Sequence, residues 1–287
     1  MAEALATRID AELVSADSAQ VYRGLPILTN QPSVTTHLVA VWELAQEASV
    51  AQYERLAHET IDDILERDRT PVVVGGTGLY LRAALSELEL PEPPGPGVRR
   101  RWEHEYDRLG AAGAHALLTE MDPDAAERVH ANDRRRVVRA LELADAGSSL
   151  RPNRERLWSA ETRHSTLLVG LDVPAVELEH RIEVRTQGMF ERGVRDEVRD
   201  ALRGSLSSTA CRILGLREVA ELPEDEAIAA LVLRTRQLAS YQRKWMRRLP
   251  GLVSVAGDRP PGEIADEILE MAGRGQRLSG HRRAPRR

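Results

Sequence analysis

Apolar positions along this chain repeat at two spacings. Leu5 and Ile9, four residues apart, predict a short amphipathic helix over residues 2–9. The run Glu12-Leu13-Val14-Ser15 then reads as a buried strand, with Ala16-Asp17-Ser18 at its carboxyl end. Residues 47–67 place Val50, Tyr53, Leu56, Ala57, Ile61, Ile64 and Leu65 on a helical period. Pro71 closes that connection. Val72-Val73-Val74 is short and wholly apolar, as a parallel strand covered by helices on both faces has to be. Gly75-Gly76-Thr77-Gly78 turns the chain into another helix, through Leu79, Leu81 and Leu85. Strand, helix, strand, glycine turn and helix together predict an open α/β sheet. Ligands bind such sheets beyond the carboxyl ends of the strands, where Asp17 and Thr77 both fall.

The stretch Pro-Glu-Pro-Pro-Gly-Pro-Gly at 91–97 cannot continue a helix and marks a boundary. Residues 98–146 are helical in pattern, with a break at Asp122-Pro123, and read as an inserted helical subdomain. Leu167-Leu168-Val169-Gly170-Leu171 reads as a strand returning to the sheet, followed by helices near 175–203, 210–221, 224–247 and 261–272. The expected division is a core at 1–95, the inserted subdomain at 96–150, a return to the core with C-terminal helices at 151–272, and a disordered basic tail at 273–287.

Composition narrows the function. Hydrophobic residues at 42% and charged residues at 30% belong to an ordinary globular chain. The single cysteine, Cys211, excludes a disulfide framework and any multi-thiolate metal site, which fits a reducing compartment. No run reaches the roughly 20 apolar residues of a membrane helix and no signal peptide opens the chain, so a cytoplasmic protein without membrane contact is expected. Aromatics are 3%, so stacking platforms for single-stranded nucleic acid are few. The net charge of -5 argues against a uniformly basic surface, yet Arg134-Arg135-Arg136 with Arg139, Arg243-Lys244 with Arg247-Arg248, and Arg282-Arg283 with Arg286-Arg287 are local clusters. One such cluster is ordinarily a solvated helix face; three in an acidic chain point to focused RNA contact.

Four separated segments carry a family resemblance over residues 1 to about 250. Ser15-Ala16-Asp17-Ser18-Ala19-Gln20-Val21-Tyr22-Arg23-Gly24 resembles the signature that follows the first strand–loop–helix unit of tRNA dimethylallyltransferases. Pro71 through Tyr80 is similar to the second signature of that family, and Asp122-Pro123 through Glu142 to the third. Arg181-Ile182, Arg185, Met189, Gly193, Glu197-Val198, Gly215-Leu216-Arg217-Glu218 and Thr235-Arg236-Gln237-Leu238-Ala239 also follow it.

The resemblance implies a P-loop nucleoside-triphosphate-hydrolase-like parallel sheet, of the nucleotide- and ATP-binding kind, with an inserted helical subdomain that grips a tRNA anticodon stem-loop. It implies transfer of a dimethylallyl group from dimethylallyl diphosphate to the exocyclic amine of the adenosine beside the anticodon. Asp17 is then the general base or orienting acceptor for that amine. Arg217, with Arg185 and Arg181 as weaker candidates, faces the charge gathering on the diphosphate. Thr77 and Gly78 offer donors to an anion or a ribose hydroxyl, and Ser18 and Gln20 read the adenine edge. Arg134, Arg135, Arg136, Arg139, Arg243, Lys244 and Arg247 are the RNA-binding candidates. Magnesium is expected to be bound mainly through the diphosphate, with no protein metal site, in a monomer.

The chain departs from the family pattern in places. The family opens with a buried strand and a Gly-rich loop ending in Gly-Lys-Ser or Gly-Lys-Thr, ahead of the helix that here holds residues 2–9. Its backbone N–H groups, Lys and hydroxyl serve the phosphates. About 10–20 residues would supply both, so a start upstream of Met1 is expected, with little activity from the chain as it stands. Leu28-Thr29-Asn30-Gln31-Pro32 replaces the usual Gly-Thr-Ala-Lys-Pro. Thr36-His37-Leu38 keeps one of two usual histidines, Ala146-Gly147-Ser148-Ser149 lacks a Thr-Gly-Lys, and Leu216 stands where Tyr is common. Two other functions compete: a relative that grips anticodon stem-loops without turnover, and a phosphoryl transferase or kinase of the same broad fold.

Overall fold

The computed structural model describes residues 1–88, 90–91, 97–150 and 156–280, so most of the proline-rich break at 91–97 and the arginines at 282–283 and 286–287 lie outside the described residues. The chain divides into two compact units, Met1–Glu87 with Leu157–Arg287, and Leu88–Arg156.

The larger unit opens with α1 (Ala2–Ala6), shorter than its pattern suggests because Thr7 ends it, and β1 (Ala11–Ser15). After β2 (Thr36–His37) comes α2 (Val50–Glu66), started by a capping box in which Ser49 Oγ accepts from Gln52 N at 3.2 Å and Gln52 Oε1 from Ser49 N at 3.2 Å. Tyr53, Ala57, Ile61 and Ile64 form its buried stripe. β3 (Thr70–Val74) then pairs in parallel with β1 from Ala11↔Thr70 to Ser15↔Val74, and β2 joins the opposite edge of β1 at Leu13↔Thr36. The sheet order is β2-β1-β3. α3 (Gly78–Leu85) leaves from the glycine turn after β3.

The smaller unit is helical: α4 (Val98–Met121), α5 (Pro123–Ala126) and α6 (Arg134–Asp145). Asp122 ends one helix and caps the next, its Oδ1 accepting from Ala125 N at 3.0 Å. Gly110, at φ 69°, kinks α4. Trp102, Tyr106, Leu118, Val137, Val138 and Leu141 form the core. Buried Glu142 is held between Arg139 at 3.2 Å and Arg99 at 3.5 Å.

Returning to the larger unit, β4 (Val169–Asp172) is followed by α7 (Ala175–Glu191), α8 (Val194–Ala201), α9 (Leu216–Glu221), α10 (Glu224–Met246), β5 (Val253–Ala256) and α11 (Pro261–Gly280). Two expectations are corrected here. The strand expected to return to the main sheet instead pairs in parallel with β5, Val169↔Val253 to Asp172↔Ala256, as a separate two-stranded sheet. β5 escapes a pattern reading because it has only four residues. The last helix runs on to Gly280 where a disordered tail from 273 is expected; Gly273 and Gly275 weaken a helix without removing a hydrogen bond, and no proline intervenes. Leu5, Val255, Ile264, Ala265 and Ile268 share a core cluster into which Val72 and Val169 also pack.

One polar cluster braces the sheet. Glu12 in β1 pairs with Arg67, with Arg69 at 2.8 Å and with His37 at 2.6 Å. The Arg67 guanidinium is the main cause that holds its carboxyl down at about 2, from 4.5. A carboxylate depressed by folding stabilises fully above its unfolded value, and that contribution fades as pH falls through the folded one. Glu12→Gln is therefore expected to lower Tm by about 2–4 °C at pH 7. Thermal scans should show the gap closing as pH drops from 4.5 toward 2; a gap constant over that range would remove Glu12 from the pH dependence.

Candidate active site

β1 and β3 end together, and the two loops that leave them are locked to each other. Ala16 N donates to Val74 O at 2.7 Å, and Ala16 is fully buried. A Cβ at Gly75 would stand 2.2 Å from Ala16 O, so only glycine lets β3 turn this close to β1. Asp17 comes next and is half-buried. Its Oδ1 accepts from Ala19 N at 2.8 Å, an Asx turn that fixes the carboxylate and leaves its second oxygen without a hydrogen-bond partner among the described residues. Thr77 Oγ1 accepts from Ser18 N at 3.4 Å and lies 3.3 Å from Ser18 Oγ, joining the Asp17 loop to the start of α3.

Behind this junction Tyr53 and Tyr80 stack with centroids 4.4 Å apart, and the Tyr53 hydroxyl donates to Ser15 O at 2.9 Å. Burial is the chief cause that raises both phenols above their ordinary range, with the charge of Asp17 adding to it, so both stay neutral. The charge of Asp17 also acts on Arg185 in α7. Solvent reaches its side chain, yet enough protein surrounds it that desolvation draws its pKa down while Asp17 opposes. It makes no hydrogen bond or ion pair among the described residues. An exposed guanidinium without an ion-pair partner, coupled to the Asp17 charge, is available to an anion.

The other expected residues separate into those left free and those already engaged. Gln20 is engaged: its Oε1 accepts from Ser15 Oγ at 2.9 Å, and its Nε2 donates to Asn30 O at 2.8 Å and Thr29 O at 3.3 Å. It ties the loop 28–31 to β1 rather than presenting its amide to a base. That loop is held from the other side by Glu197, which accepts from Ile27 N and Leu28 N, both at 2.8 Å. Burial raises the Glu197 pKa against those two bonds. Arg181 is likewise engaged, bonding Glu177 at 2.6 Å and Gly257 O at 3.0 Å, and so fastens α7 to the loop after β5. Arg217 opens α9 after Gly215 at φ 94°, exposed and without an ion-pair partner among the described residues. Its link to the Asp17 loop is indirect: Gly215 packs on Leu28, which belongs to the segment that Gln20 ties down.

Among the basic candidates, Arg134 pairs with Asp107 at 2.7 Å and lies over the Tyr106 ring, Arg136 pairs with Asp133 at 3.5 Å, and Arg139 serves buried Glu142. Arg243 donates to Val173 O. Arg135, Lys244 and Arg247 are exposed, with no ion pair among the described residues.

Two further residues stand at this site, Gln242 and Trp245, from a segment that reads in the sequence only as RNA-facing. A Cβ at Gly76 would stand 2.2 Å from Gln242 Nε2, and one at Gly78 2.2 Å from the Trp245 ring, so the end of α10 closes over the glycine turn. Glycines at 76 and 78 signal a close approach, but nothing local says by which residue.

Comparison with known proteins identifies the family. The family described as IPP transferase matches residues 20–249, well over half the chain. The tRNA dimethylallyltransferase of Streptomyces coelicolor is 39% identical, covering 88% of this chain and 84% of its own. That of Acidothermus cellulolyticus is also 39% identical, covering 95% and 87%. Among solved structures, the full-length tRNA isopentenylpyrophosphate transferase of Bacillus halodurans superimposes with a TM-score of 0.69 at 28% identity, over 99% of this chain and 94% of that one. A eukaryotic dimethylallyltransferase captured acting on tRNA reaches 0.75 at 23% identity, over 97% and 76%, and speaks for the fold. With these matches spanning both units, the chain belongs to the IPP transferase family.

Proposed function

We propose that this chain is a tRNA dimethylallyltransferase in which Asp17 takes the proton from the attacking amine. The reaction joins the exocyclic N6 of the adenosine beside the anticodon to the allylic carbon of dimethylallyl diphosphate. The carbon–oxygen bond breaks, diphosphate departs with the electron pair, and the amine proton passes to the carboxylate. The observation that carries this reading is the half-buried Asp17, one oxygen pinned by Ala19 N–H and the other without a hydrogen-bond partner among the described residues. An aryl amine is a weak base whose proton a carboxylate can accept, and a free guanidinium stabilises the departing charge more than the intact ester. Arg217 is the second cation for the diphosphate, while Ser18, Thr77 and Gly78 position the substrates.

Among the described residues no group of three or more His, Cys, Asp or Glu side chains is placed to hold a metal ion. A magnesium ion carried mainly by the diphosphate would neutralise its charge, with the hydroxyls of Ser18 and Thr77 as the hard oxygens beside it. Arg135, Lys244 and Arg247 serve the stem-loop. Among the described residues no helix is long and apolar enough to cross a membrane. We place the protein in the cytoplasm, where its RNA substrate is, as a monomer.

The edges of the two sheets support a further part of the reading. Among the described residues β3 and β4 each have a strand on one side only, and the apolar Val74 remains 38% exposed. A strand preceding α1 would pair with such an edge and carry the phosphate loop to Thr77. The test is nucleoside mass spectrometry of an anticodon stem-loop RNA incubated with dimethylallyl diphosphate and magnesium, using this chain and an N-terminally extended form. Prenyladenosine is expected from the extended form and little from the shorter one. Equal product from both would remove the requirement for the loop. No product from either would leave a relative that binds stem-loops without turnover.

A further inference from the structure

Aromatic residues are 3% of this chain, yet three of them meet at one place. The Trp158 and Trp245 rings lie 4.6 Å apart, and Tyr241 meets Trp245 edge-on at 6.4 Å. The Arg248 guanidinium sits 3.8 Å over Trp158. Leu238, Tyr241 and Trp245 follow one another at helical spacing on α10, and the outer two-thirds of that row is open, with Leu238 41% and Tyr241 58% exposed. The Tyr241 hydroxyl has no hydrogen-bond partner among the described residues. Exposed Lys244 and Arg247 flank the row without an ion pair among those residues, in a chain whose net charge is -5.

This patch adjoins the candidate site through direct contacts. Trp245 is seated on Gly78, the residue after Thr77, and Thr77 binds Ser18 beside Asp17. An exposed tyrosine in edge contact with a pair of further rings and flanked by uncommitted cations suits one kind of ligand. Every nucleobase has a π face that stacks on such a ring, while the cations meet the backbone phosphates.

We propose that Tyr241, backed by Trp245 and Trp158 and flanked by Lys244 and Arg247, is a stacking platform for an unpaired nucleobase of an RNA loop, next to the base delivered to Asp17. The identity of that RNA as an anticodon loop rests on the transferase reading. Pulling one base out of a loop leaves its neighbour without a stacking partner, and Tyr241 supplies one.

The test is fluorescence anisotropy of a labelled anticodon stem-loop RNA with this chain. Tyr241→Ala is expected to weaken binding about ten-fold, with Tyr241→Phe and Tyr241→Trp close to the parent. A base-paired stem without the loop should not distinguish the variants. 2-Aminopurine beside the target adenosine should be quenched by the parent and not by Tyr241→Ala. Unchanged affinity in Tyr241→Ala, equal loss in Tyr241→Phe, or no loop binding by the parent would each overturn the platform. Tyr241-dependent binding without prenyladenosine from the extended form would sink the transferase reading and leave the platform standing. Prenyl transfer with no Tyr241 dependence would do the reverse.

Discussion

Replacing Asp17 by Asn in an N-terminally extended enzyme is expected to slow prenyl transfer by about 10²–10⁴-fold while leaving stem-loop affinity nearly unchanged. The two side chains have almost the same shape, and the Asn oxygen can still accept from Ala19 N, the 2.8 Å bond that fixes the loop. Ser18 and Thr77 therefore stay joined, and the ends of β1 and β3 keep their geometry. What disappears is the open oxygen that takes the proton, together with the negative charge that acts on Arg185. An amide cannot accept that proton, so the loss falls on the chemical step. Single-turnover rates by nucleoside mass spectrometry, beside anisotropy titrations of the same RNA, separate the two effects. A variant that keeps the parental single-turnover rate would remove Asp17 from proton transfer. A variant that loses rate and RNA affinity in proportion would make Asp17 a binding residue instead.

The position of Asp17 was legible because it depends on local facts: a buried strand, a short turn, and a recognisable run of residues around both. The parallel pairing of β1 with β3 was legible for the same reason, since apolar strands joined by an amphipathic helix have few other ways to pack. What the sequence hid was how side chains spend their hydrogen bonds. Gln20 looks like a reader of a base edge, but its amide bridges Ser15 and the carbonyls of residues 29 and 30. Arg181 and Arg185 sit one turn apart on α7 with equal claims, and the choice is made by where the loop after β5 passes. Gly257 O takes up Arg181, and Arg185 is left without a hydrogen bond or ion pair among the described residues. Trp158 and Trp245 come from distant parts of the chain, so no window along the sequence shows them touching. The pairing of β4 with β5 is hidden likewise, because four residues are too few for a period to declare itself.

Gly75→Ala is expected to cost about 3 kcal/mol and lower Tm by on the order of 10 °C. The added methyl would stand 2.2 Å from Ala16 O and 2.5 Å from Ala16 C, and a backbone carbonyl at the end of a paired strand cannot swing aside as a long side chain can. Relief requires β1 and β3 to separate where Ala16 N donates to Val74 O at 2.7 Å. Ala16 is the residue before Asp17, so the same movement shifts the carboxylate and should lower transfer beyond what instability explains. Gly188→Ala is the control. Gly188 lies within α7 with nothing within 4 Å of its missing Cβ, so alanine there should raise stability by about 0.5–1 kcal/mol through helix propensity alone. Thermal melts of both variants decide the matter. If Gly75→Ala melts with the parent, the two strand ends are not as tightly joined as their contacts imply, and Asp17 has more freedom than proton transfer at a fixed position allows.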